Sequence, residues 1–316
     1  MITVFINTRL GSEHLAELRA GFPGVDFYVG EKLAADPALM GKTEILVTYG
    51  WDITAGLVRQ MPHLKWIQAL RAGVDNFPGK ELQKRGIPVT TVRGIHGIPM
   101  AEHAMAMILS FSRGLTKFRA NQFNRVWQRN ISLDEIYDKT LGIAGTGSIG
   151  REIAKRARAF GMKTLGINTT GNPVEGVDRV MTPDQLPTLL SESDYLVVTL
   201  PLTDKTFHLF GAREFNRMKP TAYFINLARG QIADEAALVR ALQEGEIAGA
   251  GLDVFESEPL PEDSPLWQME NVIMTPHLAA LSPRYTERAL GIFMQNLKAF
   301  LSGDALVNVM NWQRGY

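Results

Sequence analysis

Short apolar runs alternate with helix-like stretches along almost the whole chain. Ten runs read as strands: residues 2–6, 45–48, 66–70, 89–92, 140–143, 164–167, 195–199, 223–226, 248–252 and 272–274. Several are continuous rather than alternating, as in Leu196-Val197-Val198. A strand that is apolar on both faces suits a parallel sheet covered by helices on each side. The intervening stretches carry apolar residues at helical spacing, and Ile149, Ile153, Ala157 and Phe160 fall on one face. This alternation predicts an α/β architecture of doubly wound parallel sheets.

The segment 103–121 reads as one long helix, with Pro99 in its first turn, where a missing N–H costs little. About four strand–helix alternations precede it and about six follow, which puts a domain boundary near residue 98. A final helix over 283–302 is free to return to the first domain.

Composition narrows the class. The 316 residues are 45% hydrophobic and 21% charged, enough apolar material for two cores. Lys plus Arg and Asp plus Glu are both 33, so no chain-wide basic field points to nucleic acid or an anionic membrane. No apolar stretch approaches the length of a membrane span; the apolar core of 105–111 is far too short. The first residues enter a strand-like run without the charged lead of a secretory signal. The chain has no cysteine, which excludes disulfides, thiolate metal sites and a Cys nucleophile, and suits a cytoplasmic setting.

One motif carries cofactor chemistry. The strand-like Thr140-Leu141-Gly142-Ile143-Ala144 runs directly into Gly145-Thr146-Gly147-Ser148-Ile149-Gly150, and an amphipathic helix follows. A G-x-G-x-x-G loop between strand and helix is a dinucleotide-binding signal. Gly145 allows the tight turn, Gly147 lets the backbone approach a pyrophosphate, and Gly150 lets helix and strand pack closely. The pyrophosphate would sit on the free N–H groups at the helix start. An acidic residue about 20 positions on ordinarily binds the ribose 2′-hydroxyl of NAD. Here Asn168 stands in that place, followed by Thr169 and Thr170. No carboxylate repels a 2′-phosphate and all three side chains can donate to one, although no Arg grips it. This favours NADP(H) and leaves room for NAD(H).

The second half adds Asn226-Leu227-Ala228-Arg229-Gly230, Gly251-Leu252-Asp253-Val254-Phe255, Glu258-Pro259-Leu260-Pro261 with Pro265-Leu266-Trp267, and Thr275-Pro276-His277. The first half contributes Ala72-Gly73-Val74-Asp75 and Ala101-Glu102-His103. In this order and spacing, over nearly the whole chain, the motifs resemble the D-isomer-specific 2-hydroxyacid dehydrogenase family. The resemblance implies a Rossmann dinucleotide-binding domain, 99–285, inserted into a flavodoxin-like substrate domain made of 1–98 and 286–316. It implies an active site in the cleft between them, and a homodimer built through the long helix and the arm after it.

The chemistry needs a cation for the substrate carboxylate, a proton source for the carbonyl oxygen, and a fixed nicotinamide. By the resemblance, Arg229 supplies the first; its planar fork of donors matches a carboxylate. His277 supplies the proton, since imidazole titrates near neutrality. Glu258 bonds the other ring nitrogen, fixes the tautomer and stabilises the imidazolium; Glu256 and Glu262 lie close by, and only the Glu-Pro-Leu-Pro match selects Glu258. Backbone N–H groups at Ala72 and Gly73 are expected to meet the substrate carboxylate. Ser148, Ile149, Leu200, Pro201, Ala228, Asp253 and His277 are expected beside the cofactor, Asp253 at the nicotinamide carboxamide.

Arg71 stands where the family more often has a small residue; it is either a second anion contact or a surface Arg pairing with Asp75. Tyr49 and Trp51 follow a strand and either pack or line the pocket; lining would admit bulky 2-oxoacids. His96 and His103 are seven apart, but Pro99 intervenes and no third ligand is evident, so no metal site is expected. Met100, Met105 and Met107 read as helix core or interface. The leading function is a reductase of 2-oxoacids such as glyoxylate or hydroxypyruvate. A phosphoglycerate-type dehydrogenase is the nearest enzymatic alternative, and a non-catalytic NAD(P)(H)-sensing protein is the alternative from another class.

Overall fold

The computed structural model describes residues 1–31, 36–74 and 76–312. The chain divides into two compact units, one of Met1–Ile95 with Pro283–Tyr316 and one of His96–Ser282.

In the first unit, five strands form a parallel sheet: β1 (Ile2–Asn7), β2 (Val25–Gly30), β3 (Ile45–Thr48), β4 (Trp66–Ala69) and β5 (Val89–Thr90). Their order is β2-β1-β3-β4-β5, the flavodoxin-like winding. Apolar residues fill both faces. Val4, Ile6, Ile45, Val47 and Trp66 pack with Phe293 and Leu297 of the last helix, Tyr285–Ser302, while Phe5, Leu46 and Ile67 pack with Met61 and Leu82. A buried polar chain fixes that helix. Asn296 donates to Gln68 Oε1 (3.2 Å) and accepts from Val307 N (2.8 Å), and Thr90 donates to the same Gln68 oxygen (2.8 Å). Removing one member of such a chain would orphan the others, so it also specifies the register of the helix.

In the second unit, seven strands form a parallel sheet: β6 (Thr140–Ala144), β7 (Lys163–Ile167), β8 (Arg179–Met181), β9 (Tyr195–Val198), β10 (Tyr223–Asn226), β11 (Gly249–Leu252) and β12 (Val272–Met274). The order β12-β11-β10-β9-β6-β7-β8 reverses direction between β6 and β9, the arrangement of a Rossmann sheet. Ligands in such sheets bind at the carboxyl ends of the strands beside that reversal.

Three expectations are corrected. Strands β2 and β8 lie at the sheet edges and were not expected. β2 carries Asp26 and exposed Tyr28, and β8 is three residues with only Met181 buried, so neither has a strong apolar run. The long helix is two: Gly97–Ser112 and Leu115–Phe123, broken where Gly114 turns to φ +59°. Phe160 does not share the buried face of the helix Ser148–Ala159; it lies just past the helix end and is exposed, whereas Ile153, Ala154 and Ala157 are buried. Met100, Met105 and Met107 are core residues of the helix Gly97–Ser112. No helix among the described residues is long and apolar enough to cross a membrane.

Candidate active site

The glycine loop leaves β6 through Gly145, at φ +105°, a conformation that side chains disfavour. A Cβ on Gly150 would collide with the carbonyl oxygen of Gly145, so glycine there lets the helix start lie against the strand end. A Cβ on Gly147 would meet nothing within 4 Å. Gly147 also precedes the helix Ser148–Ala159 without a side-chain cap. A backbone with open space before an uncapped helix start fits the phosphates of a dinucleotide. Thr199, just after β9, donates to Gly145 O (2.7 Å) and ties the loop across the sheet reversal.

At the end of β7 the side chain of Asn168 is turned inward. Its Nδ2 donates to Thr146 Oγ1 (3.0 Å) and Asn172 O (3.1 Å). Its Oδ1 accepts from Thr170 N (3.0 Å), Thr170 Oγ1 (3.1 Å) and Gly171 N (2.7 Å). Asn168 and Thr170 therefore shape this loop with the hydrogens expected to reach a 2′-phosphate. The segment Asn168-Thr169-Thr170-Gly171-Asn172 carries no carboxylate.

Arg229 follows β10 on a turn built by the buried side chain of Asn226. Asn226 accepts from Ala228 N (3.0 Å) and donates to Arg229 O (2.9 Å). The guanidinium donates to Ala228 O (2.7 Å). His96, only 6% exposed, lies within electrostatic reach of it. Burial, and secondarily the Arg229 charge, push the His96 imidazole down to about 4, so it is neutral at pH 7. Nothing local in the sequence reveals this neighbour of His96 across 133 positions.

His277 adopts φ +56° in the turn after β12. Its Nδ1 lies 2.8 Å from Glu258 Oε2. A carboxylate only accepts, so Nδ1 holds a proton and Nε2 is the nitrogen that faces away. The other Glu258 oxygen accepts from Phe255 N (3.1 Å), which fixes the carboxylate. Neither Glu256 nor Glu262 makes this contact; Glu256 instead pairs with His208 at 2.8 Å.

Asp253 is 2% exposed and organises the same turn. Its carboxylate accepts from Thr275 Oγ1 (2.6 Å), Leu278 N (2.9 Å) and Ala279 N (2.9 Å), and its carbonyl accepts from His277 N (2.7 Å). Arg229, Glu258, His277 and Asp253 all lie on turns after strands of the second unit. Leu200 and Pro201 follow β9 in that unit, and Pro201 O accepts from Thr206 Oγ1 (2.7 Å).

Ala72 and Gly73 lie in the first unit, after β4. Beside them, the Arg71 guanidinium sits 4.7 Å from the ring centre of Trp51 and donates to Asn76 Oδ1 (3.4 Å). Asp75 lies outside the described residues. Tyr49 and Trp51 part company. Tyr49 stacks on Tyr285 at 6.5 Å and packs on the core, whereas Trp51 is 77% exposed.

A carboxylate-bound imidazole and an arginine, each on a turn that follows a strand of the sheet with the glycine loop, are the equipment of a hydride-transfer site. The family model for the D-isomer-specific 2-hydroxyacid dehydrogenase NAD-binding domain matches residues 105–279. The chain belongs to the D-isomer-specific 2-hydroxyacid dehydrogenase family. It is thus an NAD(P)-dependent oxidoreductase of that family. It is 38% identical over 280 residues to glyoxylate/hydroxypyruvate reductase B of Shigella dysenteriae, covering 87% of this chain and 86% of that one. A family member from Aeromonas salmonicida superposes with a TM-score of 0.88 at 35% identity, over 98% of this chain and 99% of that one. An NADPH-dependent glyoxylate/hydroxypyruvate reductase from Sinorhizobium meliloti, solved with NADP and sulfate, superposes with a TM-score of 0.83 at 30% identity, over 100% of both chains.

Proposed function

We propose that this dehydrogenase reduces small 2-oxoacids, glyoxylate and hydroxypyruvate foremost, to D-2-hydroxyacids with NADPH. The observation that carries the reading is the Glu258–His277 pair at 2.8 Å. It leaves one imidazole nitrogen for the substrate. A nicotinamide, when bound, would be the source of the hydride for the carbonyl carbon. His277 Nε2 gives its proton to the carbonyl oxygen, and Glu258 stabilises the imidazolium that donates it. Arg229 holds the substrate carboxylate, helped by backbone N–H groups of Ala72 and Gly73. The neutral state of His96 keeps a second positive charge away from Arg229, which leaves the guanidinium as the local anion receptor.

Gly145, Gly147, Ser148, Ile149 and Gly150 would hold the pyrophosphate. Thr169 and the backbone of the loop 168–172 would meet the ribose, and Leu200, Pro201, Ala228 and Asp253 would flank the rest of the cofactor. The preference for NADPH is supported by the absence of a carboxylate from 168–172 and by the NADP-bound relative. A segment with exposed Phe123, Val126 and Trp127, the last 89% exposed, supports a homodimer. The protein's partner is a small-molecule substrate and its setting the cytoplasm.

Nicotinamide oxidation by the pure protein tests this, with NADPH or NADH against each 2-oxoacid. Cofactor binding without turnover on any of them would point to a sensor. Sedimentation that gives a mass near 35 kDa, that of the single chain, would remove the dimer.

A further inference from the structure

The turn that carries His277 needs support. A non-glycine residue at φ +56° costs about 1–3 kcal/mol and persists only where surrounding contacts over-determine it. The contacts that do so here lead away from the site to a residue on the helix Gly97–Ser112. Asp253 gathers the turn, taking hydrogens from Leu278 N and Ala279 N with its side chain and from His277 N with its carbonyl. The Thr275 hydroxyl is its remaining side-chain donor, at 2.6 Å. His103 Nε2 lies 3.0 Å from that same hydroxyl oxygen.

A hydroxyl has one hydrogen. Thr275 gives it to the carboxylate, so toward His103 it can only accept. His103 therefore carries its proton on Nε2, either as the neutral tautomer or as the imidazolium. The chain has one direction, His103 to Thr275 to Asp253. Each donor polarises the next, and the carboxylate at its end sets the backbone of residues 277–279.

We propose that His103 is a positioning residue for the proton donor His277, acting through Thr275 and Asp253. This rests on the reading that His277 is that donor. His103 lies on the helix Gly97–Ser112, well before β6 in the chain, and touches none of the residues assigned to substrate or cofactor among the hydrogen bonds described. The requirement is a hydrogen-bond donor at this position rather than a titrating charge, because both protonation states permit Nε2–H. Small errors in the placement of an acid catalyst are costly, and a displacement of 1 Å can lose about 10²-fold in rate.

The test compares His103→Leu with His103→Gln, whose amide can place a donor near the Nε2 position. The Leu variant is expected to lose about 5- to 50-fold in kcat for glyoxylate reduction, with KM and NADPH binding within about twofold of the parent. The Gln variant is expected to recover most of that loss. Thr275→Val is expected to reproduce the defect, and the double variant His103→Leu/Thr275→Val to be no worse than the poorer single, since both cut one chain. Unchanged kcat in His103→Leu, a Gln variant as poor as Leu, or additive losses would each overturn the proposal. If Leu at 103 prevents folding, the Gln and Thr275→Val variants still decide it. The parent reading fails separately, if His277→Ala keeps full turnover.

Discussion

At the scale of single residues, the site divides labour between a guanidinium that holds the substrate and an imidazole that moves a proton. The guanidinium of Arg229 supplies the planar fork of donors, and its turn is held by Asn226 on both sides. Replacing it with alanine should raise KM for glyoxylate and lower kcat together, with kcat/KM falling by about 10² or more. Lysine there should recover little, since an ammonium lacks the planar fork. An unchanged kcat/KM in Arg229→Ala would remove this residue from substrate binding. For His277→Ala, the expected loss in kcat is about 10²–10⁴, with NADPH affinity retained. Glu258→Gln keeps a hydrogen-bond acceptor but loses the charge opposite the imidazolium. It should lose part of that factor, and steady-state kinetics on both variants will show whether the order holds.

At the scale of elements, the glycine loop makes opposite demands at two of its positions. Gly147 has room for a methyl group, so Gly147→Ala should melt like the parent protein while binding NADPH about tenfold more weakly. Gly150→Ala places a methyl group against the Gly145 backbone and should cost about 1–3 kcal/mol of stability or more. Calorimetry with and without NADPH separates the two; equal losses of stability would contradict the packing described. The start of the helix Gly97–Ser112 adds a pH effect. His96 has a folded value of about 4, below the unfolded value near 6.5, so folding favours its neutral form. Its contribution is complete above about pH 6.5 and declines as pH falls toward 4. Between pH 7.5 and 5 this amounts to about 2 kcal/mol. A His96→Gln variant should lose correspondingly less stability over that interval in denaturant titrations; an identical pH dependence would show that His96 is not the group responsible.

At the scale of the molecule, what could be read in the sequence follows the range of the physics involved. The interior strands were legible because burial on both faces writes continuous apolar runs such as Leu196-Val197-Val198. Strands β2 and β8 were not, because neither has a strong apolar run: β2 carries Asp26 and exposed Tyr28, and β8 buries only Met181, whereas the edge strands β5 and β12 keep theirs. The break at Gly114 was hidden inside an otherwise helical pattern, where a glycine is tolerated until its backbone is seen. The Glu258–His277 pairing came from motif resemblance rather than spacing, and the geometry now separates Glu258 from Glu256. The role of Asn168 at the end of β7 was not legible. Whether an amide reaches outward to a phosphate or inward to its own loop depends on Thr146 and Asn172, which folding brings to it. The His103–Thr275–Asp253 chain joins residues up to 172 positions apart and leaves no local trace.

These scales meet in one claim, that the second unit carries an NADPH-dependent proton-donating site acting on 2-oxoacids. The most direct test is initial-rate oxidation of NADPH and NADH by the pure protein with glyoxylate, hydroxypyruvate, pyruvate and phenylpyruvate, alongside His277→Ala. The expected result is turnover with glyoxylate and hydroxypyruvate, a higher kcat/KM for NADPH than for NADH, and loss of turnover in the variant. Tight NADPH binding with no oxidation in any pair, or a variant as active as the parent, would contradict it.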